Sequence, residues 1–333
     1  MSGNKTVRGR ARAAGAVRVT VLVDNERGAP GLRAQWGLAL WVETARANVL
    51  VDSGANDVFR HNALKLGVGL EATDAFVLSH GHNDHGGGIP RLVEAAVAAT
   101  LVLHPAALAP RFWLGRTGKV EPIGLPKRAL AALRRAGDRT GWAFGPLEAA
   151  PDVWASGPIP RRHPLEEAER NFYLDPACTV RDHVVDDQAV WVEAPSGLIV
   201  LLGCAHAGVV NTLDHVRRAA ADRSGRQGEP LGREAGRGGG SGSLHAAQAG
   251  PDSREALPLA GDGLPRVAAV IGGMHLLHAS PARLQATGDA LEAAGVALVV
   301  PVHCTGKRGK DYLRRRFGGA YADAATGSVV EID

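Results

Sequence analysis

Residues 79–88 constrain this chain more than any other stretch, because they hold three histidines and an aspartate within six positions. The four side chains are His80, His82, Asp84 and His85. They follow an apolar run at 75–78, typical of a buried strand, and precede three glycines that let a loop turn tightly. Histidine and aspartate are ligands of Zn²⁺, Mn²⁺ and Fe²⁺. The spacing therefore predicts a site for one or two divalent ions, with zinc favoured and manganese or iron as alternatives.

The composition is that of an ordinary globular protein. The chain has 333 residues, of which 45% are hydrophobic and 22% are charged, and this length allows a sizeable core. No apolar run approaches the roughly 20 residues that span a bilayer, and residues 1–15 lack the apolar region of a secretory signal. The three cysteines are too few for a disulfide framework. We therefore expect a cytoplasmic protein with no membrane partner.

The positive charge is concentrated at the start of the sequence. The formal net charge is +4, yet the first eighteen residues hold five basic residues and no acid, so the remainder is close to neutral. We expect residues 1–16 to be a disordered basic leader. The body of the chain then offers no basic groove, and we expect no nucleic-acid partner.

Strand and helix patterns alternate through the rest of the chain. A strand at 17–23, a hairpin at 37–51 and apolar strands that end near 78, 202, 271 and 300 are separated by helical segments. This order predicts an α/β sandwich in one domain over residues 17–333. Residues 222–266 interrupt the pattern with a low-complexity stretch, which we expect to be a mobile surface loop.

Further candidate ligands follow the later strands. Cys204 and His206 lie between an apolar strand and a helix, at the position where α/β sheets place their sites. His303 follows the last buried strand, and both histidines are predicted metal ligands. Cys204 is either a soft ligand or a buried packing residue. His275 is a ligand, a packing residue, or a substrate contact that acts as proton donor or oxyanion partner.

Three other positions are candidates for supporting roles. Asp52 directly follows the strand 48–51. It is predicted to accept hydrogen bonds from the histidines of residues 80–88, the metal loop. Arg161 follows a Pro-x-Pro turn, where its guanidinium would clamp a substrate phosphate or carboxylate, or lie in a solvated loop. Asp187 belongs to an acidic cluster before the strand 189–193 and is an uncertain ligand.

Several motifs recur in an order that resembles a known family. Residues 79–85 resemble the His-x-His-x-Asp-His signature of the metallo-β-lactamase superfamily. The later motifs are similar to its subgroup named for 7,8-dihydropterin-6-methyl-4-(β-D-ribofuranosyl)aminobenzene-5′-phosphate synthase, whose bacterial members are often called simply metal-dependent hydrolases. Those motifs are Val51-Asp52-Ser53-Gly54, Gly203-Cys204-Ala205-His206-Ala207-Gly208, Gly272-Gly273-Met274-His275-Leu276 and His303-Cys304-Thr305-Gly306.

The resemblance implies a four-layer αβ/βα sandwich with metal ions at one edge. The superfamily usually has a third histidine before the second hairpin and a bridging aspartate after it. In this sequence Cys204 stands where the bridging acid is expected, and we expect His206 to take over one of those duties. The ligand positions of the superfamily are matched by His80, His82, Asp84, His85 and His303.

The resemblance also implies a reaction. In the synthase reaction, an arylamine attacks a pterin methyl pyrophosphate, and the metals stabilise the departing pyrophosphate. The first alternative is a phosphodiesterase or lactonase acting on a small anionic metabolite, with water as nucleophile and Asp84 as proton acceptor. The second alternative is a non-catalytic sensor of a pterin or nucleotide, against which the nearly complete ligand set argues.

Overall fold

The computed structural model describes residues 16–166, 170–225 and 257–333. The predicted basic leader lies outside these residues, except for its last position. In chain order the strands are Val17–Val23 (β1), Ala39–Glu43 (β2), Asn48–Val51 (β3), Ala75–Val77 (β4), Thr100–Leu103 (β5), Phe112–Leu114 (β6), Val120–Pro122 (β7), Thr140–Trp142 (β8), Leu147–Ala150 (β9), Val153–Ala155 (β10), Phe172–Tyr173 (β11), Ala189–Ala194 (β12), Gly197–Leu202 (β13), Val267–Gly273 (β14), Leu298–Val302 (β15) and Val329–Ile332 (β16).

The helices of the described residues lie between these strands. None of them is long and apolar enough to cross a membrane. They are Val58–Leu66 (α1), Asn83–Gly86 (α2), Ile89–Ala95 (α3), Lys127–Ala136 (α4), Val209–Gly225 (α5), Pro281–Ala293 (α6) and Gly306–Phe317 (α7).

Two mixed sheets form the centre of the molecule. The first has the strand order β16-β1-β2-β3-β4-β5-β8, and the second has the order β15-β14-β13-β12-β10-β9. A small third sheet has the order β11-β6-β7. In the first sheet β3, β4 and β5 run parallel, and in the second β13, β14 and β15 run parallel. The loops that follow these parallel strands carry the candidate ligands.

The main core fills the space between the two large sheets. Side chains alternate along the strands, so Val19 and Val21 of β1 share this core with Ile199 and Leu201 of β13. The outer face of the first sheet packs against α1, α3 and α4, and that of the second packs against α5, α6 and α7. The structure therefore confirms the predicted four-layer αβ/βα sandwich.

Periodicity predicts most of the long elements correctly, and the differences lie at their ends. The strand β1 has the predicted bounds, whereas the last buried strand spans Leu298–Val302 and not 296–300. The predicted loop insert at 222–266 is too long, because α5 continues to Gly225 and residues 259–265 form a turn closed by an isolated bridge. The Gly-rich centre of that insert, at 226–256, lies outside the described residues.

Candidate metal centre

Three histidines from two sheets meet in a first donor triad. His80 and His82 follow β4, and His206 follows β13. The Nε2 atom of His80 lies 2.9 Å from Nδ1 of His82 and 3.2 Å from Nε2 of His206. All three side chains are buried. The structure therefore brings His206 together with two histidines that follow β4, and its role as the third histidine ligand stays a prediction.

A second donor triad lies beside the first. It consists of Asp84, His85 and His303, the last of which follows β15. The Nε2 atoms of His85 and His303 are 3.2 Å apart. The Oδ2 atom of Asp84 lies 3.5 Å from Nε2 of His303 and 3.7 Å from Nε2 of His85. The predicted ligands thus separate into one set of three nitrogens and one set of two nitrogens and an oxygen.

Asp52 fixes the proton positions of both triads. Its Oδ2 atom accepts hydrogen bonds from Nδ1 of His85 at 2.6 Å and from Oγ of Ser79 at 2.7 Å. Because the only hydroxyl proton of Ser79 points to Asp52, its oxygen accepts a bond from Nδ1 of His80 at 2.9 Å. The Nε2 atoms of His80 and His85 therefore face the centre. This arrangement is the supporting role predicted for Asp52.

The three histidines of the first triad are neutral, which allows them to bind a cation. Burial lowers the pKa of His80, His82 and His206 well below its ordinary value. Each neutral imidazole has one nitrogen lone pair, so the three facing nitrogens can all turn lone pairs toward one divalent ion. The donor set thus fits a zinc-type ion.

The second triad differs in charge. Burial lowers the pKa of His303 to about 3. Burial also lowers the pKa of His85, but the carboxylates of Asp52 and Asp84 raise it by more, to about 9. A cation bound here would displace the proton from Nε2 of His85, the nitrogen nearer Asp84, while Nδ1 keeps its hydrogen bond to Asp52.

Cys204 lies between the two triads. Its sulfur is 3.2 Å from Nε2 of His85 and within 4.8 Å of the facing atoms of both His80 and His85. A thiolate at this point can reach an ion in either triad. The sulfur thus lies where a soft ligand would stand, and the choice between ligand and packing residue stays a prediction.

His275 borders the first triad without belonging to it. Its ring centroid is 4.5 Å from that of His206, and a ring nitrogen lies within 4.8 Å of the sulfurs of Cys204 and Cys304. The side chain is partly exposed, which leaves it open to a substrate as well as to the cluster. Its role in substrate binding or proton transfer stays a prediction.

Arg161 and Asp187 support the turn that carries His206. The guanidinium of Arg161 donates to the backbone carbonyls of His206 and His183. The Oδ2 atom of Asp187 accepts from the amide of Ala207 at 2.6 Å, and burial raises the pKa of Asp187 to about 6. Both residues thus position the ligand turn. The predicted substrate contact of Arg161 has no counterpart in these bonds, and it stays a prediction.

Other supporting residues are harder to find in the sequence. Asn25 accepts from Nδ1 of His303 at 3.0 Å, and Asp24 accepts from the amide of His303 at 2.7 Å. Asp186 accepts from the amide of Gly81 at 2.7 Å and forms a buried ion pair with Arg111. Asp24 and Asn25 directly follow β1, and Asp186 lies shortly before β12, so their positions next to strands make them candidates in the sequence. No local pattern points to Arg111.

Comparisons with known proteins agree with this fold. The family model of the metallo-beta-lactamase superfamily matches residues 37–201. The 7,8-dihydropterin-6-methyl-4-(beta-D-ribofuranosyl)-aminobenzene-5'-phosphate synthase of Methanocaldococcus jannaschii is 22% identical over 314 residues, which cover 90% of this chain and 90% of that protein. An uncharacterized protein of the same organism, MJ0448, is 25% identical over 205 residues, or 60% of this chain and 74% of that protein.

A solved structure extends the likeness over almost the whole chain. The crystal structure of Tm1679, a metal-dependent hydrolase of the beta-lactamase superfamily, superposes with a TM-score of 0.68 at 24% identity, over 95% of this chain and 99% of that one. At this identity the likeness concerns the fold, and the donor triads are the independent evidence for the site. The family model, the fold and the two triads together show that this chain belongs to the metallo-β-lactamase superfamily.

Proposed function

We propose that the protein is a two-metal enzyme of the synthase type, in which an arylamine displaces pyrophosphate from a pterin methyl pyrophosphate. The single observation that carries a two-metal reaction is the pair of donor triads joined by the sulfur of Cys204. The choice of substrate rests on the M. jannaschii synthase, whose sequence aligns with 90% of this chain. Both substrates are small anionic metabolites.

The residues of the chain have distinct tasks in this reaction. Divalent ions in the two triads would supply Lewis acidity to the phosphate oxygens of the leaving group. Asp84, whose Oδ2 atom lies 3.5 Å from Nε2 of His303, is half-buried at the edge of the second triad and is the candidate acceptor of the amine proton. His275, beside His206, is the candidate donor to the leaving group.

Two aromatic side chains flank the donor triads. The ring centroid of Trp36 lies 5.3 Å from that of His303, and the side chain is 56% exposed. The ring of Phe172 lies 5.1 Å from His82 and 5.6 Å from His206. Flat apolar rings on both sides of a polar centre suit a planar heteroaromatic substrate, and this supports a pterin and an arylamine as reactants.

Hydrolysis of a phosphodiester or lactone is the second candidate. It is favoured by the fold shared with Tm1679, which is described as a metal-dependent hydrolase. The same donor triads would serve either reaction, since the attacking nucleophile, water or an amine, would occupy the same side of the site. The two reactions therefore differ in substrate and not in the residues required.

A direct assay separates these functions. Protein loaded with zinc, manganese or iron is incubated with a pterin pyrophosphate and an aminobenzene ribotide, and in parallel with phosphodiesters and lactones. The synthase predicts pyrophosphate release that depends on the arylamine and is abolished in His82→Ala but kept in His278→Ala, an exposed histidine. Hydrolysis without any arylamine-dependent product would overturn the synthase in favour of the hydrolase. If His82→Ala kept full biological function, the protein would be a sensor.

A further inference from the structure

Three neighbouring parallel strands bring a third group of donors together. Strands β13, β14 and β15 are adjacent in the second sheet. Cys204, His275 and Cys304 each stand two positions beyond the end of one of these strands. The two sulfur atoms and a ring nitrogen of His275 all lie within 4.8 Å of one another. Because parallel strands end at the same edge of a sheet, equal offsets place these side chains side by side.

The backbone around this cluster is shaped to hold sulfur. The amide of His275 donates to Sγ of Cys304 at 3.3 Å, and that sulfur lies 3.5 Å from the carbonyl oxygen of Cys204. A methyl group at Gly273 would approach the same sulfur to 2.7 Å, so glycine keeps the necessary space. Both cysteines are only 4% exposed. The thiol of Cys304 is therefore held in a defined, buried position by the surrounding backbone.

The donor set of this cluster differs from that of the two triads. The triads offer imidazole nitrogens and a carboxylate, whereas the cluster offers two sulfurs and one imidazole. Thiolates select soft ions such as Zn²⁺, Cd²⁺ or Cu⁺ over harder ones. We infer that Cys204, His275 and Cys304 form a third metal position, which takes a thiophilic ion and shares the sulfur of Cys204 with the neighbouring triads.

An ion in this position would tie three loops of the second sheet together. Cys204 lies two residues before His206, and Cys304 directly follows His303. The ion would therefore hold one ligand turn of each triad. The proposal is tested by metal binding alone. The ion would take one ring nitrogen of His275, and the other would keep its proton and stay available for the reaction proposed above.

Cadmium is a suitable probe, because its bonds to thiolates absorb in the ultraviolet. One equivalent of Cd²⁺ is added to zinc-loaded wild-type protein, to Cys304→Ser and to Cys178→Ser, the control for a cysteine outside the cluster. We expect wild type and Cys178→Ser to develop the full sulfur-to-cadmium band, and Cys304→Ser to show about half of it or less, with weaker retention of the ion. An unchanged band in Cys304→Ser would overturn the proposal.

A second measurement needs no variant and covers the case in which Cys304→Ser fails to fold. X-ray absorption at the cadmium edge counts the sulfur neighbours of the bound ion in wild-type protein. Two sulfur neighbours support the third position. One or none contradicts it, whatever the enzyme does with any substrate, so this result and the activity assay can fail independently.

Discussion

At the scale of single residues, the site depends on side chains held in fixed orientations on a strained backbone. Four non-glycine residues at the ends of site strands have left-handed backbone angles: Asp52 with a φ of 58°, Ala205 with 54°, His275 with 47° and His303 with 50°. Such conformations cost on the order of 1–3 kcal/mol each and persist only where surrounding contacts compensate. For Asp52 these contacts are visible, because its carboxylate accepts from Ser79 and His85.

The substitution Asp52→Asn tests this role. An amide keeps the size of the side chain, but its nitrogen would face an N–H or O–H donor of Ser79 or His85. The imidazoles of His80 and His85 would then lose their fixed proton positions, and we expect metal affinity to fall by about 10- to 100-fold. Titration with a competing chelator measures the affinity. Asp57→Asn is the matched control, since Asp57 is exposed and makes no capping hydrogen bond; equal affinities for the two variants would contradict the prediction.

At the scale of elements, the triads form where strand ends from the two sheets approach closely. Gly203, directly after β13, lies against Ser79, directly before the metal loop. A methyl group at Gly203 would lie 2.1 Å from Oγ and 2.3 Å from Cβ of Ser79, and 3.2 Å from Oδ2 of Asp52. Ser79 cannot move aside without breaking its hydrogen bonds to Asp52. The glycine thus sets the distance between the two ligand-bearing edges.

We therefore expect Gly203→Ala to affect both stability and metal binding. The overpacked contact should lower the free energy of unfolding by about 1–3 kcal/mol. It should also weaken metal binding, because His80 is oriented by the displaced Ser79. Urea denaturation and metal analysis measure the two effects. Gly319→Ala is the control, since no atom lies within 4 Å of the methyl group it would add, and a variant as stable and metal-rich as this control would refute the prediction.

At the scale of the whole molecule, neither half of the sandwich contains a complete triad. The first sheet supplies His80 and His82, and the second supplies His206. The second triad divides in the same way, because Asp84 and His85 come from the first half and His303 from the second. The metal ions would therefore join the halves, and the site forms only when the sandwich closes.

A buried ion pair strengthens the same closure. Arg111, before β6, is 1% exposed and pairs with Asp186, before β12, which is fully buried and also accepts from the amide of Gly81 in the metal loop. In Arg111→Met the carboxylate of Asp186 would lose its buried partner, and we expect the free energy of unfolding to fall by about 3–5 kcal/mol.

Chemical denaturation of metal-loaded protein measures this loss. The matched control is Arg91→Met, which removes an exposed pair with Glu94 on one helix, and we expect it to leave the unfolding midpoint unchanged. If both variants unfolded at the same denaturant concentration, the buried pair would have no special role in holding the halves together.

The sequence alone predicted the fold class, the long strands and the types of ligand. Strands such as Val17–Val23 and Asn48–Val51 follow from the pattern of apolar and β-branched side chains, which act within one short segment. The short strands β6, β7 and β11 carry too few residues to show any period, and they were not predicted. Their positions, and that of Phe172 beside His82, depend on packing against the rest of the chain.

The tertiary structure decided which candidate donors lie together. Cys204 and Cys304 stand 100 positions apart in the sequence, and no local pattern shows that they touch or that His206 joins His80. Residue type and spacing determine what a side chain can bind, because these are properties of the local chain. Which side chains meet is determined by the order and register of strands in the two sheets, and that depends on contacts made across the whole molecule.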